Sequence, residues 1–194
     1  MKKEYDFSKG VKGKYSERFQ KGSQNKMKIY FAHGKESSPW GSKIKRLAGI
    51  AESLGCAFES VDYTDLRDSA DLRVERLVNI LKGETGRFIL VGSSMGGYVS
   101  LVASGKVETQ AMFLLAPALY MGDDYQHQNY PHKTQHIEIV HGWSDDIIPP
   151  ENSIRFAKGA DCTLHLISGD HVLHSSIETV EVLFEEFLKK VLAG

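Results

Sequence analysis

At 194 residues and a net charge of −1, the chain has the length of one ordinary domain with a two-faced core, and its charge total gives no argument for nucleic acid as a partner. No run of 18 apolar residues occurs, and the N-terminus lacks the apolar centre of a secretory signal, so the pattern speaks against a membrane location. Cys56 and Cys162 are too few for a disulfide framework or a zinc site and read as free thiols in a reducing cytoplasm.

The first 26 residues carry eight basic against three acidic side chains and show no sustained periodicity. They read as a basic, flexible extension (1–26), with any protein partner unknown, ahead of a domain spanning 27–194. From Met27 onward short β-rich runs alternate with helical periodicity. The spacing predicts strands near 27–32, 56–61, 87–92, 111–116, 137–141 and 163–167. Helices are expected near 40–54, 68–82, 95–105, 151–158 and 175–191. The last keeps Leu183, Phe184, Phe187, Leu188 and Val191 on one face. This is an α/β pattern: a mainly parallel sheet of about six strands with helices on both faces and no room for a large cap.

The chemistry concentrates at three strand ends. After the apolar run Phe88 to Val91 comes Gly92-Ser93-Ser94-Met95-Gly96-Gly97, a Gly-x-Ser-x-Gly turn between strand and helix with Ser94 at its apex. The serine there must hold a strained backbone, and side chains two residues either way would collide where strand and helix cross. After Ile137 to Val140 comes His141-Gly142-Trp143-Ser144-Asp145-Asp146-Ile147-Ile148-Pro149, which supplies an acid. Its spacing favours Asp145 over the adjacent Asp146. After Thr163 to Ile167 comes Ser168-Gly169-Asp170-His171, where His171 lies in the strand-end loop and the rival His174 falls at the start of the last helix. Loops that follow parallel strands gather along one sheet edge, so the order Ser, Asp, His points to acyl-transfer chemistry.

On these motifs, together with His33-Gly34 after the first strand, the chain from about Met27 onward resembles the α/β-hydrolase superfamily, and within it the small bacterial serine esterases with little or no lid. The resemblance implies Ser94 as nucleophile, Asp145 as acid and His171 as base. It also implies an oxyanion hole built from the amides of Met95 and Lys35, although the charged pair Lys35-Glu36 departs from the usual loop. The segment Met1 to Tyr15 resembles the leader of certain small antitoxin-like proteins. The activity implied is hydrolysis of a small carboxylic ester or thioester through an acyl-enzyme, with no metal or organic cofactor. Two other readings stand beside it: a noncatalytic binding module on the same fold, and an interaction protein that works through its basic arm.

The connection 118–135 is rich in Tyr, His, Asp and Asn and is expected to overhang the site from outside the core. His33, Trp40, Tyr120 and Trp143 are the candidates for substrate contact, His33 also reading as a residue that shapes the oxyanion loop. His127, His132 and His136 match no compact metal-ligand spacing and are expected to be solvated.

Overall fold

The computed structural model of the chain describes residues 26–122, 125–134 and 136–194. The expectations for the basic arm and the antitoxin-like leader therefore lie outside the described residues, Lys26 apart. Six strands form the sheet: β1 (Lys28–Ala32), β2 (Ala57–Val61), β3 (Phe88–Ser93), β4 (Ala111–Leu115), β5 (Ile137–Gly142) and β6 (Thr163–Ile167). They run parallel throughout in the order β2-β1-β3-β4-β5-β6. The helices are α1 (Ser42–Ser53), α2 (Ala70–Lys82), α3 (Met95–Lys106), α4 (Pro150–Ala160) and α5 (Ile177–Ala193), and a 3-10 turn at Thr64–Leu66 precedes α2.

Side chains alternate across the sheet because successive residues of a strand point to opposite faces. Leu90, Met112, Leu114 and Ile139 look toward α2, α3 and α4, where Leu77, Tyr98, Val102 and Phe156 meet them. Ile89, Val91, Phe113 and Val140 look the other way, onto Leu47 and Ala51 of α1 and Phe184, Phe187, Leu188 and Val191 of α5. Both faces are thus sealed, as an all-parallel sheet requires. The chain winds from β1 outward to β2 and then returns to β3 on the other side of β1. The carboxyl ends of β1 and β3 therefore flank the point where the winding reverses, which is where ligands bind in open α/β sheets.

Two expectations need correction. The helix read as beginning near 175 starts at Ile177, because the turn that follows His171 continues through Ser176. The 118–135 connection does not lie outside the core: Leu119 and Tyr130 are buried, and Tyr120, Met121 and Tyr125 pack against the same apolar cluster. Its aromatics gave it a way to fold down that the polar composition concealed. Tyr98 is the anchor, with its ring against Tyr125 and Tyr130 and its hydroxyl donating to Asp71 at 2.6 Å.

Candidate active site

β3 delivers Ser93, and the next residue turns the chain sharply into α3. Ser94 holds φ +56° and ψ −122°, a conformation side-chain-bearing residues rarely adopt. Its backbone is fixed from several sides. The amide donates to Leu115 O at 2.9 Å, and the carbonyl accepts from the amides of Gly97 and Ala118 at 2.9 and 3.0 Å. The crossing is tight enough that a Cβ on Gly92 would stand 2.3 Å from Gly96 O, and one on Gly96 would stand 1.9 Å from Ala32 O. Only glycine fits at either position.

The loops after β5 and β6 meet over this turn. Ser94 Oγ lies 3.0 Å from His171 Nε2, and His171 Nδ1 lies 2.8 Å from Asp145 Oδ2. The two loops are also pinned to each other, Trp143 N donating to Ile167 O and Ser144 N to Gly169 O, each at 2.9 Å. Asp146 and His174, the rivals in sequence, are exposed.

Asp145 is buried, and burial by itself would push its carboxyl up. Hydrogen bonds from the Ile148 amide, from His171 and from the Ile147 amide outweigh that and hold it below the usual carboxylate range. The amides of Ile147 and Ile148 reach Oδ1 at 3.0 and 2.8 Å. Oδ2 takes His171 and a second imidazole, His141, at 3.0 Å. His141 Nε2 faces both Asp145 Oδ2 and Ile148 O, two acceptors, so that nitrogen carries the proton, and Ser153 Oγ donates to Nδ1 at 2.7 Å. Burial pushes the His141 pKa down, which keeps the ring neutral and able to serve as a fixed donor behind the acid.

The loop after β1 approaches from the other side. A Cβ on Gly34 would stand 3.8 Å from Ser94 Oγ, so this backbone lines the space above the serine. Met95 opens α3, where amides have no partner within the helix, and the Lys35 amide donates to no carbonyl among the described residues. The Lys35 and Glu36 side chains do not fill the loop: Lys35 pairs with Asp68 at 2.8 Å, and Glu36 with Arg67. Beneath them Arg73 is fully buried, and among the described residues no carboxylate pairs with it. Its guanidinium donates to Leu66 O, Arg67 O and His33 O at 2.8, 3.0 and 3.1 Å, and more weakly to Gly34 O. It therefore clamps the β1 loop to the β2 loop. His33 does the same on a smaller scale. Its Nδ1 donates to Gly34 O at 2.8 Å and its Nε2 accepts from Tyr63 N at 3.2 Å, so both ring nitrogens are spent inside the scaffold.

A model of the uncharacterised protein family UPF0227 matches residues 27–176. The chain belongs to that family, within the α/β-hydrolase superfamily. It is 33% identical to an α/β-superfamily protein of Xanthomonas campestris pv. campestris, XCC1541, over 86% of this chain and 99% of that one, with a TM-score of 0.75. Est1E from Butyrivibrio proteoclasticus superposes with a TM-score of 0.71 at 18% identity, covering 90% of this chain and 92% of its own. XC6422 from Xanthomonas campestris, described as an α/β serine hydrolase without lid, gives 0.64 at 20% identity over 84% and 81%. At the last two identities the likeness is one of fold. No curated protein matches the sequence.

The UPF0227 match contains all three strand-end motifs and stops at Ser176, short of α5. Of the candidates for substrate contact, Trp143 is 58% exposed in the acid's loop, and Trp40 packs edge-on against Phe58 of β2. Tyr120 is held between the Arg155 guanidinium, 3.9 Å above its ring, and Tyr130. His127, His132 and His136 disperse onto Tyr98, Phe156 and Phe187, and no group of residues suited to a metal occurs among the described residues. No helix among them is long and apolar enough to cross a membrane. Sequence reasoning missed His141 as the second donor to the acid, Arg73 as the loop clamp, and Lys43, whose ammonium donates to Ser93 Oγ at 3.2 Å. Arg73 had a signal, since it shares the helical face of Ala70, Leu77 and Leu81; Lys43 had none.

Proposed function

We propose that the chain is a serine hydrolase that cleaves a small carboxylic ester or thioester through an acyl-enzyme. The observation that carries this reading is the continuous hydrogen-bond chain from Ser94 through His171 to Asp145, at 3.0 and 2.8 Å, on a serine with positive φ. A structural serine has no need of such a backbone, and a binding module has no need of all three groups.

The steps follow from the donors and acceptors. Ser94 Oγ attacks the carbonyl carbon as its proton passes to His171 Nε2, and Asp145 holds the imidazole with Nδ1–H inward and stabilises the resulting imidazolium. The negative charge on the carbonyl oxygen is met by the amides of Met95 and Lys35, each such donor contributing about 3 to 4 kcal/mol to the transition state. Collapse breaks the ester bond, and the leaving alcohol takes the proton from Nε2. Water then gives a proton to the same nitrogen and attacks the acyl carbon; as the bond to Ser94 Oγ breaks, Oγ takes that proton back, and the acid leaves with Ser94 and His171 restored. Trp143, Ile147 and Val172 leave large apolar surfaces exposed on the loops that carry Asp145 and His171, so an apolar group of the substrate would rest there. The free thiols Cys56 and Cys162 favour a reducing compartment, hence the cytoplasm.

The test is covalent labelling by a fluorophosphonate, with the adduct located by peptide mass. Labelling on Ser94, lost in Ser94→Ala together with hydrolysis of p-nitrophenyl acetate, is the expected result. Unchanged hydrolysis by Ser94→Ala would exclude the mechanism.

A further inference from the structure

Asp145 accepts four hydrogen bonds, and three of them are enough to orient it. The amides of Ile147 and Ile148 fill Oδ1 from its own turn, and His171 Nδ1 takes Oδ2 at 2.8 Å. The fourth comes from His141 Nε2, 3.0 Å from the same Oδ2. His141 has a place in the scaffold without the acid: Ile148 O stands 3.0 Å from Nε2, and Ser153 Oγ of α4 donates to Nδ1 at 2.7 Å, which ties β5 to α4. Its N–H is nonetheless shared with the one carboxylate oxygen that serves the base. The side chains of His141 and Asp145 are both fully buried, so neither is open to solvent. With Asp145 Oδ2 and Ile148 O in front of it, Nε2 keeps its proton, and the ring cannot turn from donor into acceptor there.

We propose that His141 is a positioning residue that acts through Asp145: its N–H moderates the acid's hold on the His171 imidazolium and so sets the lowest pH at which the base is free to take the serine's proton. A neutral donor on a carboxylate oxygen draws negative charge from it and leaves it a weaker partner for a cation. Without that donor Oδ2 would serve His171 alone, the imidazolium would be held more strongly, and the site would need a higher pH to work. The inference rests on the serine-hydrolase reading of Ser94, His171 and Asp145. Other charged groups around the pair are untouched by it. Asp170 precedes His171 and accepts the Leu173 amide, and Lys43 on α1 donates to Ser93 Oγ. Asp146, His174 and Glu151 at the start of α4 are exposed.

The experiment is the second-order rate of fluorophosphonate labelling from about pH 5 to 9, a span that brackets a histidine ionisation, for the wild type, His141→Phe, His141→Asn and His141→Gln. Phenylalanine keeps a ring of similar size, and asparagine keeps a polar group within reach of Ser153, but neither has a donor in the place of Nε2. Glutamine puts a carboxamide nitrogen there. In the Phe and Asn variants the acid limb of the profile should move up by about half a pH unit or more, which is about threefold in rate at a pH well down the limb. In the Gln variant it should return close to the wild-type position. The Nδ1–H resonance of protonated His171 should move to lower field in the Phe and Asn variants, as its bond to Oδ2 tightens. Lost packing alone would lower the plateau or the stability and leave the limb where it was. A limb that stays in place or moves down in the Phe and Asn variants therefore overturns the proposal, as does a Gln limb displaced as far as theirs. Where the Phe variant does not fold, the Asn variant decides alone. No labelling of the wild type at any pH would overturn the hydrolase reading itself, and the proposal with it.

Discussion

Replacing Asp145 by asparagine changes one atom, and the contacts of each oxygen say what that does. Oδ1 accepts the amides of Ile147 and Ile148, so the asparagine keeps its carbonyl oxygen there and turns its NH2 into the place of Oδ2. In that place it meets two nitrogens that both donate, His171 Nδ1 and His141 Nε2. His141 can yield, because its other nitrogen can donate to Ser153 Oγ; the loss is the bond to Ile148 O, about 1 kcal/mol. His171 can yield only by moving its proton to Nε2, the nitrogen that faces Ser94 Oγ. A histidine protonated there cannot take the serine's proton. The rate should fall about 10⁴-fold, as it does where a carboxylate sets this tautomer, or roughly 5 kcal/mol of barrier. The assay is single-turnover phosphonate labelling, with ¹⁵N shifts of the His171 ring reporting the tautomer. A folded Asp145→Asn protein that labels within about tenfold of the wild type, or whose His171 keeps Nδ1–H, would refute the assignment of Asp145.

Three further outcomes are expected. Arg73→Lys cannot serve four carbonyls with the fork of the guanidinium, so kcat for p-nitrophenyl acetate should drop while the binding of a neutral ester changes little; equal loss in KM alone would separate the clamp from the oxyanion loop. Lys43 has a folded pKa of about 8 against an ordinary 10.5, so its burial costs stability in full below about pH 8 and the cost fades as pH rises toward 10.5. Lys43→Met should therefore be more stable than the wild type at neutral pH, by up to roughly 3 kcal/mol. Urea unfolding should show that advantage shrinking on the alkaline side, and a destabilised variant at neutral pH would contradict the sign. Across p-nitrophenyl esters, acetyl to butyryl should be preferred, because an open, partly wet site gains little of the roughly 0.8 kcal/mol available per methylene; a steady climb in kcat/KM beyond about eight carbons would require a deep channel.

The sheet was legible because its strands are short apolar runs bounded by glycine and polar clusters, and because α5 shows its apolar face openly in Phe184, Phe187, Leu188 and Val191. The three strand-end motifs were legible because the fold brings every strand's carboxyl end to one edge, so residues 77 positions apart, Ser94 and His171, become neighbours. What sequence could not give is pairing that depends on depth. Tyr130 sits in a segment polar enough to read as an overhang, yet Tyr98 and Phe156 draw its ring into the core. His141 looked like part of a strand end, and only the folded structure shows that its buried Nε2 faces Asp145 and Ile148 O. Lysine at the start of an amphipathic helix usually points to water, which is why Lys43 carried no signal.

Several costly features of this chain share one location. Ser94 sits at positive φ, an arrangement of about 1 to 3 kcal/mol. Asp145, Arg73 and Lys43 put charge into covered surroundings. All of them lie on loops or helix starts at the carboxyl edge of the sheet, whereas the two faces beneath are packed mainly by apolar side chains. If these groups served the fold, apolar residues of similar volume would serve it better. On the proposed hydrolase reading, their concentration at one edge follows from what that edge has to do. A serine needs an exposed hydroxyl on a backbone that cannot relax, an acid must stay ionised under an imidazole, and a loop of carbonyls must be held back so that its amides face the substrate. Stability is supplied by the two sealed faces, and the edge uses part of it to hold a geometry that the chain would not otherwise adopt.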